Sequence, residues 1–199
     1  MSDAETLKVY AGAAERYAAG FARKKDIEQA DDLAAFCALL PPGGRVLDMG
    51  CGPGHWAATF AEAGYAVEAT DASPEMADLA AERFGITVRV EPFEALNAVE
   101  IYDGIWCNFS LLHAPRAEFP GHLARLHRAL KPGGALHLGM KLGTGEGRDT
   151  LGRFYAYYGE DELVELLESA EFSVTHRRRG NGEGLAGGVE TFCCLTAHA

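Results

Sequence analysis

The chain has 199 residues, 48 % of them hydrophobic and 24 % charged, with a formal net charge of −11. That length suffices for one α/β domain with a well-buried core and leaves little room for a second, while the negative charge repels a phosphate-backbone partner. No apolar run reaches the length of a membrane span, and the N-terminus lacks the basic-then-apolar order of a signal peptide.

Tyr10, Ala14 and Tyr17 recur at i, i+4 and i+7, one face of a helix. Asp31 and Asp32 open an amphipathic helix carrying Leu33, Phe36, Cys37 and Leu40, which Pro41-Pro42-Gly43-Gly44 ends. Val46-Leu47-Asp48-Met49 then reads as a short buried strand running into the turn Gly50-Cys51-Gly52-Pro53-Gly54, and Asp71 closes the next strand, Tyr65 to Thr70. A tight glycine turn followed one βα unit later by an acid is how an open α/β sheet holds a nucleoside. Glycine lets the backbone approach where a Cβ would collide. The downstream carboxylate can accept from both ribose hydroxyls, contacts worth roughly 1.5–3 kcal/mol. A nicotinamide loop reads Gly-x-Gly-x-x-Gly, but here His55 occupies the position of the third glycine, and Asp48 would repel a pyrophosphate. A cationic ligand would not be repelled. The plain alternative is a structural βα turn with two incidental acids.

Further on, Trp56, Phe60 and Ala63 mark a helix stopped by Gly64, and Ser73-Pro74-Glu75 forms a good helix start. Ile86 to Val90 alternates like a strand; Leu123, Leu126 and Leu130 define a helix whose His122, Arg125, His127 and Arg128 fall on its wet face; Ala135 to Met140 reads as a strand. The glycine-rich loop Lys141 to Asp149 leads into Gly152-Arg153-Phe154-Tyr155-Ala156-Tyr157-Tyr158 and borders the crevice at the carboxyl end of a central strand. Lys141, Arg148 and Arg153 beside Tyr155 and Tyr157 suit a lid that recognises an anionic or polar substrate; a mobile surface loop is the alternative. Asp161 to Ala170 is a final helix, and Phe172–Arg178 and Val189–Ala197 are strands joined by the glycine-rich stretch 180–188. Arg177-Arg178-Arg179 reads as a solvated strand end, with a local basic patch as the alternative. The five cysteines show no Cys-x-x-Cys spacing, so reduced thiols in a cytoplasmic protein are expected, with no metal site.

Asp48-x-Gly50-x-Gly52-x-Gly54 with Asp71 resembles the cofactor motif of class I S-adenosylmethionine-dependent methyltransferases. Asp71-Ala72-Ser73-Pro74-Glu75-Met76, Tyr102 to Asn108, Leu111-Leu112-His113 and Lys131-Pro132-Gly133-Gly134 follow in the order of that family's later motifs, across residues 45–141. The resemblance implies a doubly wound, mostly parallel seven-stranded sheet with an antiparallel C-terminal strand. In domain terms it implies N-terminal cap helices over 1–40, a cofactor core over 45–141, and a substrate-side loop, last helix and terminal strands over 142–199. It places Asp48, Gly50, Cys51, Gly52 and Gly54 against the methionine half of S-adenosylmethionine, Asp71 on its ribose, and Ala72, Ser73, Met76, Phe93, Glu94 and Asn108 around the nucleoside. Tyr10 and Tyr17 belong to the cap. At Phe93-Glu94 the chain departs from the family's usual Asp-Ala, which leaves the adenine contact less defined.

Methyl transfer is an in-line displacement with a good leaving group, so alignment is the main task, and a base serves only an acceptor that must lose a proton. His113, following strand four, is the candidate base or else a structural hydrogen-bonding histidine; Tyr155 and Tyr157 are candidates to orient an acceptor, and Lys141, Arg148 or Arg153 to clamp it. The stretch 145–155 also resembles small-molecule methyltransferases of the tellurite-resistance type. A cofactor-binding module without turnover and a nicotinamide dehydrogenase are the competing readings. Methylation of protein or nucleic acid is disfavoured, since Asn108-Phe109-Ser110-Leu111 stands where an Asn/Asp-Pro-Pro-aromatic motif would fall.

Overall fold

The computed structural model describes residues 3–13 and 29–199; Ala14 and Tyr17 of the N-terminal pattern lie outside them. Residues 4–13 are helical (α1). The chain then runs α2 (Ala30–Cys37), β1 (Arg45–Met49), α3 (His55–Glu62), β2 (Ala66–Asp71), α4 (Pro74–Phe84), β3 (Val88–Val90), β4 (Tyr102–Asn108), α5 (Phe119–Ala129) and β5 (Leu130–Lys141). After these come β6 (Glu146–Arg148), β7 (Phe154–Ala156), α6 (Glu160–Ser169), β8 (Ser173–Glu183) and β9 (Val189–His198).

Seven strands form one sheet in the order β3-β2-β1-β4-β5-β9-β8. The first five are parallel, while β9 runs antiparallel to both β5 and β8. Chain order reverses between β1 and β4, and at such a switch point the loops beyond the strand ends part to leave a crevice. Register brings Asp48 level with Ala69 and Trp106, so the β1 turn, Asp71 and Asn108 all emerge at that crevice.

Both faces of the sheet are covered, which explains why the central strands read as continuous apolar runs rather than alternating ones. On one face Phe36 of α2 and Phe60 of α3 meet Trp106 edge-on, with ring centroids 5.2 and 5.5 Å away. Gly104 makes that approach possible, because a Cβ there would lie 2.6 Å from both Phe36 and Leu40. The other face buries Leu111, Phe119, Leu123 and Leu126 with Leu163 and Leu167 of α6.

Four sequence expectations are corrected. His122 is buried rather than wet: with Phe119, Leu126 and Ala129 it shares the inward stripe of α5, and its ring meets Phe93 edge-on at 5.9 Å. Arg178 is no solvated strand end, since its Nε donates to Asp32, which is 0 % exposed, at 2.9 Å and so ties β8 to α2. β8 continues through Gly180 and Gly182 to Glu183 instead of stopping at Arg178, because a Cβ at Gly180 would lie 2.4 Å from the cross-strand Phe192. Finally, the polar loop after Met140 is largely ordered into the β6–β7 hairpin, with Gly147 opposite Tyr155.

Candidate cofactor and acceptor site

A cleft enclosing about 900 Å³ of space, part of it open solvent, lies at the switch point. Its floor is the glycine turn. Gly50, Gly52 and Gly54 all have positive φ, at 72°, 54° and 82°. Two of these glycines also have a steric reason. A Cβ on Gly50 would fall 2.3 Å from that of Ser110, and one on Gly54 would fall 2.7 Å from that of Ala80. Gly54 therefore serves the packing of α3 against α4 and does not line the cleft, contrary to its expected place against the cofactor.

Asp71 fastens the turn from the neighbouring strand. Its Oδ2 accepts the Gly52 N–H at 2.8 Å and its Oδ1 the Ser73 N–H at 2.9 Å. A carboxylate has about four acceptor positions, so with the Ala72 N–H also acting on it the group as a whole retains capacity toward the cleft that Asp71 lines. Ser73 caps α4, its Oγ accepting the Met76 N–H at 3.3 Å with Pro74 at the helix start.

Asp48 is 2 % exposed, and its Oδ2 has no hydrogen-bond partner among the described residues. Burial pushes its carboxyl up to about 8, with the neighbouring Asp71 charge adding to the rise. A buried carboxyl oxygen without a partner is costly. Beside an open cleft it is a position that a cationic group would satisfy.

Over the cleft lies α1. Thr6 Oγ1 accepts the Phe154 N–H at 2.8 Å, and Arg148 grips Asp3 through two hydrogen bonds of 2.9 and 2.8 Å. His113 Nδ1 stands 2.6 Å from the Phe154 carbonyl and must donate to it, which leaves Nε2 to accept the Tyr10 hydroxyl at 2.8 Å. Arg153 Nη1 in turn donates to that hydroxyl at 3.2 Å, while Arg153 Nε and Nη2 engage Asp149. His113 thus holds its single base lone pair against the cap helix, and burial lowers its pKa to about 4.

Of the residues expected at the site, Tyr10, Asp48, Gly50, Cys51, Gly52 and Asp71 line the cleft, as do Ala72, Ser73, Met76, Phe93, Asn108 and His113. Tyr17 lies outside the described residues, and Glu94 is absent from the lining, where Phe93 presents its ring instead. None of Lys141, Arg148, Arg153, Tyr155 and Tyr157 reaches the cleft surface. Lys141 pairs with Glu190 at 2.6 Å and stands 3.8 Å over the Tyr155 ring, which is 2 % exposed. Tyr157 stacks on the Tyr155 ring at 6.0 Å. Those cations and rings build the hairpin that carries α1.

Sequence reasoning passed over Asp3, Thr6, Trp56 and Phe109, all of which line the cleft. Phe109 has φ of 54°, a left-handed conformation that costs a bulky residue about 1–2 kcal/mol. Its ring meets Phe192 edge-on at 5.3 Å. No local pattern announces a strained aromatic.

Residues 46–134 match the methyltransferase domain family. The chain is 37 % identical over 108 residues to a ubiquinone biosynthesis O-methyltransferase of Xanthomonas axonopodis pv. citri (strain 306), covering 50 % of this chain and 44 % of that protein. A 1,6-didemethyltoxoflavin-N1-methyltransferase of Burkholderia thailandensis, solved with bound 1,6-didemethyltoxoflavin and S-adenosylhomocysteine, superposes with a TM-score of 0.66 at 28 % identity, over 94 % of this chain and 90 % of that one. A magnesium protoporphyrin IX methyltransferase of Synechocystis PCC 6803 shares the fold, with a TM-score of 0.67 at 22 % identity over 88 % and 81 % of the two chains. Over residues 46–134 the chain is thus similar to methyltransferases, and it shares their fold. It spans less than half the length of the curated relatives it matches.

Proposed function

We propose that this protein transfers the methyl group of S-adenosylmethionine to a small-molecule acceptor. The observation that carries the reading is the pair of acids at the switch-point cleft: Asp48 with a buried oxygen lacking a partner among the described residues, and Asp71 with acceptor capacity left toward the cleft. Asp48 matches the cationic methionine end of the cofactor, and Asp71 matches the ribose diol. Met76 and Phe93 offer apolar surface to the adenine, and the turn at Gly50 and Gly52 admits the ligand close to backbone.

When bound, S-adenosylmethionine supplies a methyl group on a positively charged sulfur. The residues of this chain position the reactants and exclude water: α1 closes over the cleft through Tyr10, and alignment alone lowers such barriers by about 7–11 kcal/mol. His113 serves that closure and is not the base, since its lone pair accepts from Tyr10. An acceptor that arrives already nucleophilic fits this arrangement. The net charge of −11 supports a small-molecule rather than a nucleic-acid substrate, and the five free cysteines support a reducing, cytoplasmic setting. Among the described residues, no helix is long and apolar enough to cross a membrane.

Calorimetric titration tests the reading, with NAD as the parallel control. Saturable binding of S-adenosylmethionine alone is expected, and Asp71→Asn should weaken it at least ~tenfold through the lost charge-assisted contacts. Asparagine is the better substitution than alanine, because its amide oxygen can still accept one of the Gly52 and Ser73 N–H groups that the Asp71 side chain holds. A folded protein that binds neither ligand would refute the proposal.

A further inference from the structure

We infer that the methyl acceptor is a planar ring bearing a hydrogen-bond-accepting oxygen, selected by Asn108 and Phe109; this rests on the methyl-transfer reading above. Both residues lie where β4 opens into the cleft.

The polar groups at this end of the cleft are nearly all engaged. Ser110 Oγ donates to the Met49 carbonyl at 2.7 Å, both nitrogens of His113 are bonded, and the Tyr10 hydroxyl lies between His113 and Arg153. Asn108 differs. Its amide makes a reciprocal pair with Gln29: Oδ1 accepts from Gln29 Nε2 at 2.9 Å, and Nδ2 donates to Gln29 Oε1 at 3.0 Å. His137 Nε2 also meets Oδ1, at 3.1 Å.

The tautomer of His137 fixes which way this amide faces. His137 is 0 % exposed and its Nδ1 has no partner among the described residues. An orphaned N–H is rarer in folded proteins than an under-satisfied acceptor, so the proton belongs on Nε2, which donates to Asn108 Oδ1. Oδ1 then accepts two bonds and is filled. Nδ2 has used one hydrogen on Gln29, and the second has no partner among the described residues. Asn108 therefore offers the cleft a donor and not an acceptor, and the complementary group is an oxygen lone pair.

Phe109 supplies the shape. It is held in a left-handed conformation with its ring on the cleft, braced edge-on by Phe192. Gly139 keeps the space behind both residues clear: a Cβ there would fall 2.7 Å from Asn108 Oδ1 and 3.1 Å from the Phe109 nitrogen. An aromatic wall next to one amide donor matches a flat ring carrying an oxygen better than an aliphatic chain or a bare inorganic ion.

The test uses the full chain, labelled with ¹⁵N and saturated with S-adenosylhomocysteine, and catechol as the probe. The side-chain amide pair of Asn108 is identified by its disappearance in Asn108→Ala. Catechol should shift that pair saturably, one proton more than the other, whereas trans-cyclohexane-1,2-diol, with the same two hydroxyls and no aromatic face, should leave it in place. Phe109→Leu should weaken catechol about fivefold and leave the affinity for S-adenosylhomocysteine unchanged. An unmoved Asn108 pair, an equal response to the aliphatic diol, or full catechol affinity in Phe109→Leu would each overturn the inference. A protein that fails to bind S-adenosylhomocysteine instead overturns the methyl-transfer reading, and does so before catechol is added.

Discussion

Asp48 is the residue at which stability and function pull apart. Its carboxyl is buried and pushed up to about 8, so the ligand-free protein holds it mainly neutral at pH 7. A group with a raised folded pKa contributes its full stability below its unfolded value of 3.8 and loses it as pH rises toward 8. At pH 7 the loss approaches ~4 kcal/mol as an upper bound. Asp48→Asn should therefore raise the melting temperature of the ligand-free protein at pH 7 while weakening S-adenosylmethionine at least ~tenfold. A cationic ligand should also drive the proton off Asp48. Titrations in buffers of different ionisation enthalpy should then show release of about one proton at pH 7 in the wild type and none in Asp48→Asn. Equal proton release in both would separate Asp48 from the ligand's charge.

At the scale of elements, the hairpin and the cap helix form one device. The sequence shows α1 as an apolar stripe and the stretch after Met140 as cations among glycines, but the pairing of Asp3 with Arg148 spans 145 residues and leaves no local trace. What was legible depended on short-range constraints: the glycine turn, the Ser73-Pro74 cap, and the strands whose apolar runs end at Asp71 and Asn108. What was missed depended on contacts across the fold. His122 looked wet until Phe93 arrived above it, and the extension of β8 through Gly180 made sense only with Phe192 opposite. The lid reading placed Arg148 and Arg153 on the substrate, whereas their partners are Asp3, Tyr10 and Asp149. Arg148→Ala should accordingly leave the melting temperature nearly unchanged, because an exposed ion pair contributes little to global stability. Amide exchange over residues 4–13 should accelerate, and release of S-adenosylhomocysteine should quicken several-fold. Unaltered exchange in that helix would mean that the other contacts of α1 hold the cap without Arg148.

Across the whole molecule, the buried titrating groups set a stability optimum. Burial lowers His113 to about 4 and His137 to about 3, from an ordinary value of 6.5, and lowers His122 as well. A base with a depressed folded pKa costs nothing above 6.5; below it the unfolded chain takes up the proton that the native chain refuses. Asp48 acts in the opposite sense, since between 3.8 and 8 the native chain holds a proton that the unfolded chain has lost. Burial raises Asp71 in the same direction. Between pH 6.5 and 4 the three buried histidines outnumber Asp48 and Asp71, so stability should fall on acidification. Between 6.5 and 8 Asp48 dominates and stability should fall as pH rises. The ligand-free protein should thus be most stable near pH 6.5, as denaturant midpoints across pH 4–9 would reveal. In Asp48→Asn the alkaline limb should flatten while the acid limb steepens, because the proton that Asp48 held against the histidines is gone. If both limbs stayed unchanged in that variant, the buried carboxyl at the end of β1 would not be the group that titrates, and the case for its answering a ligand's positive charge would fall with it.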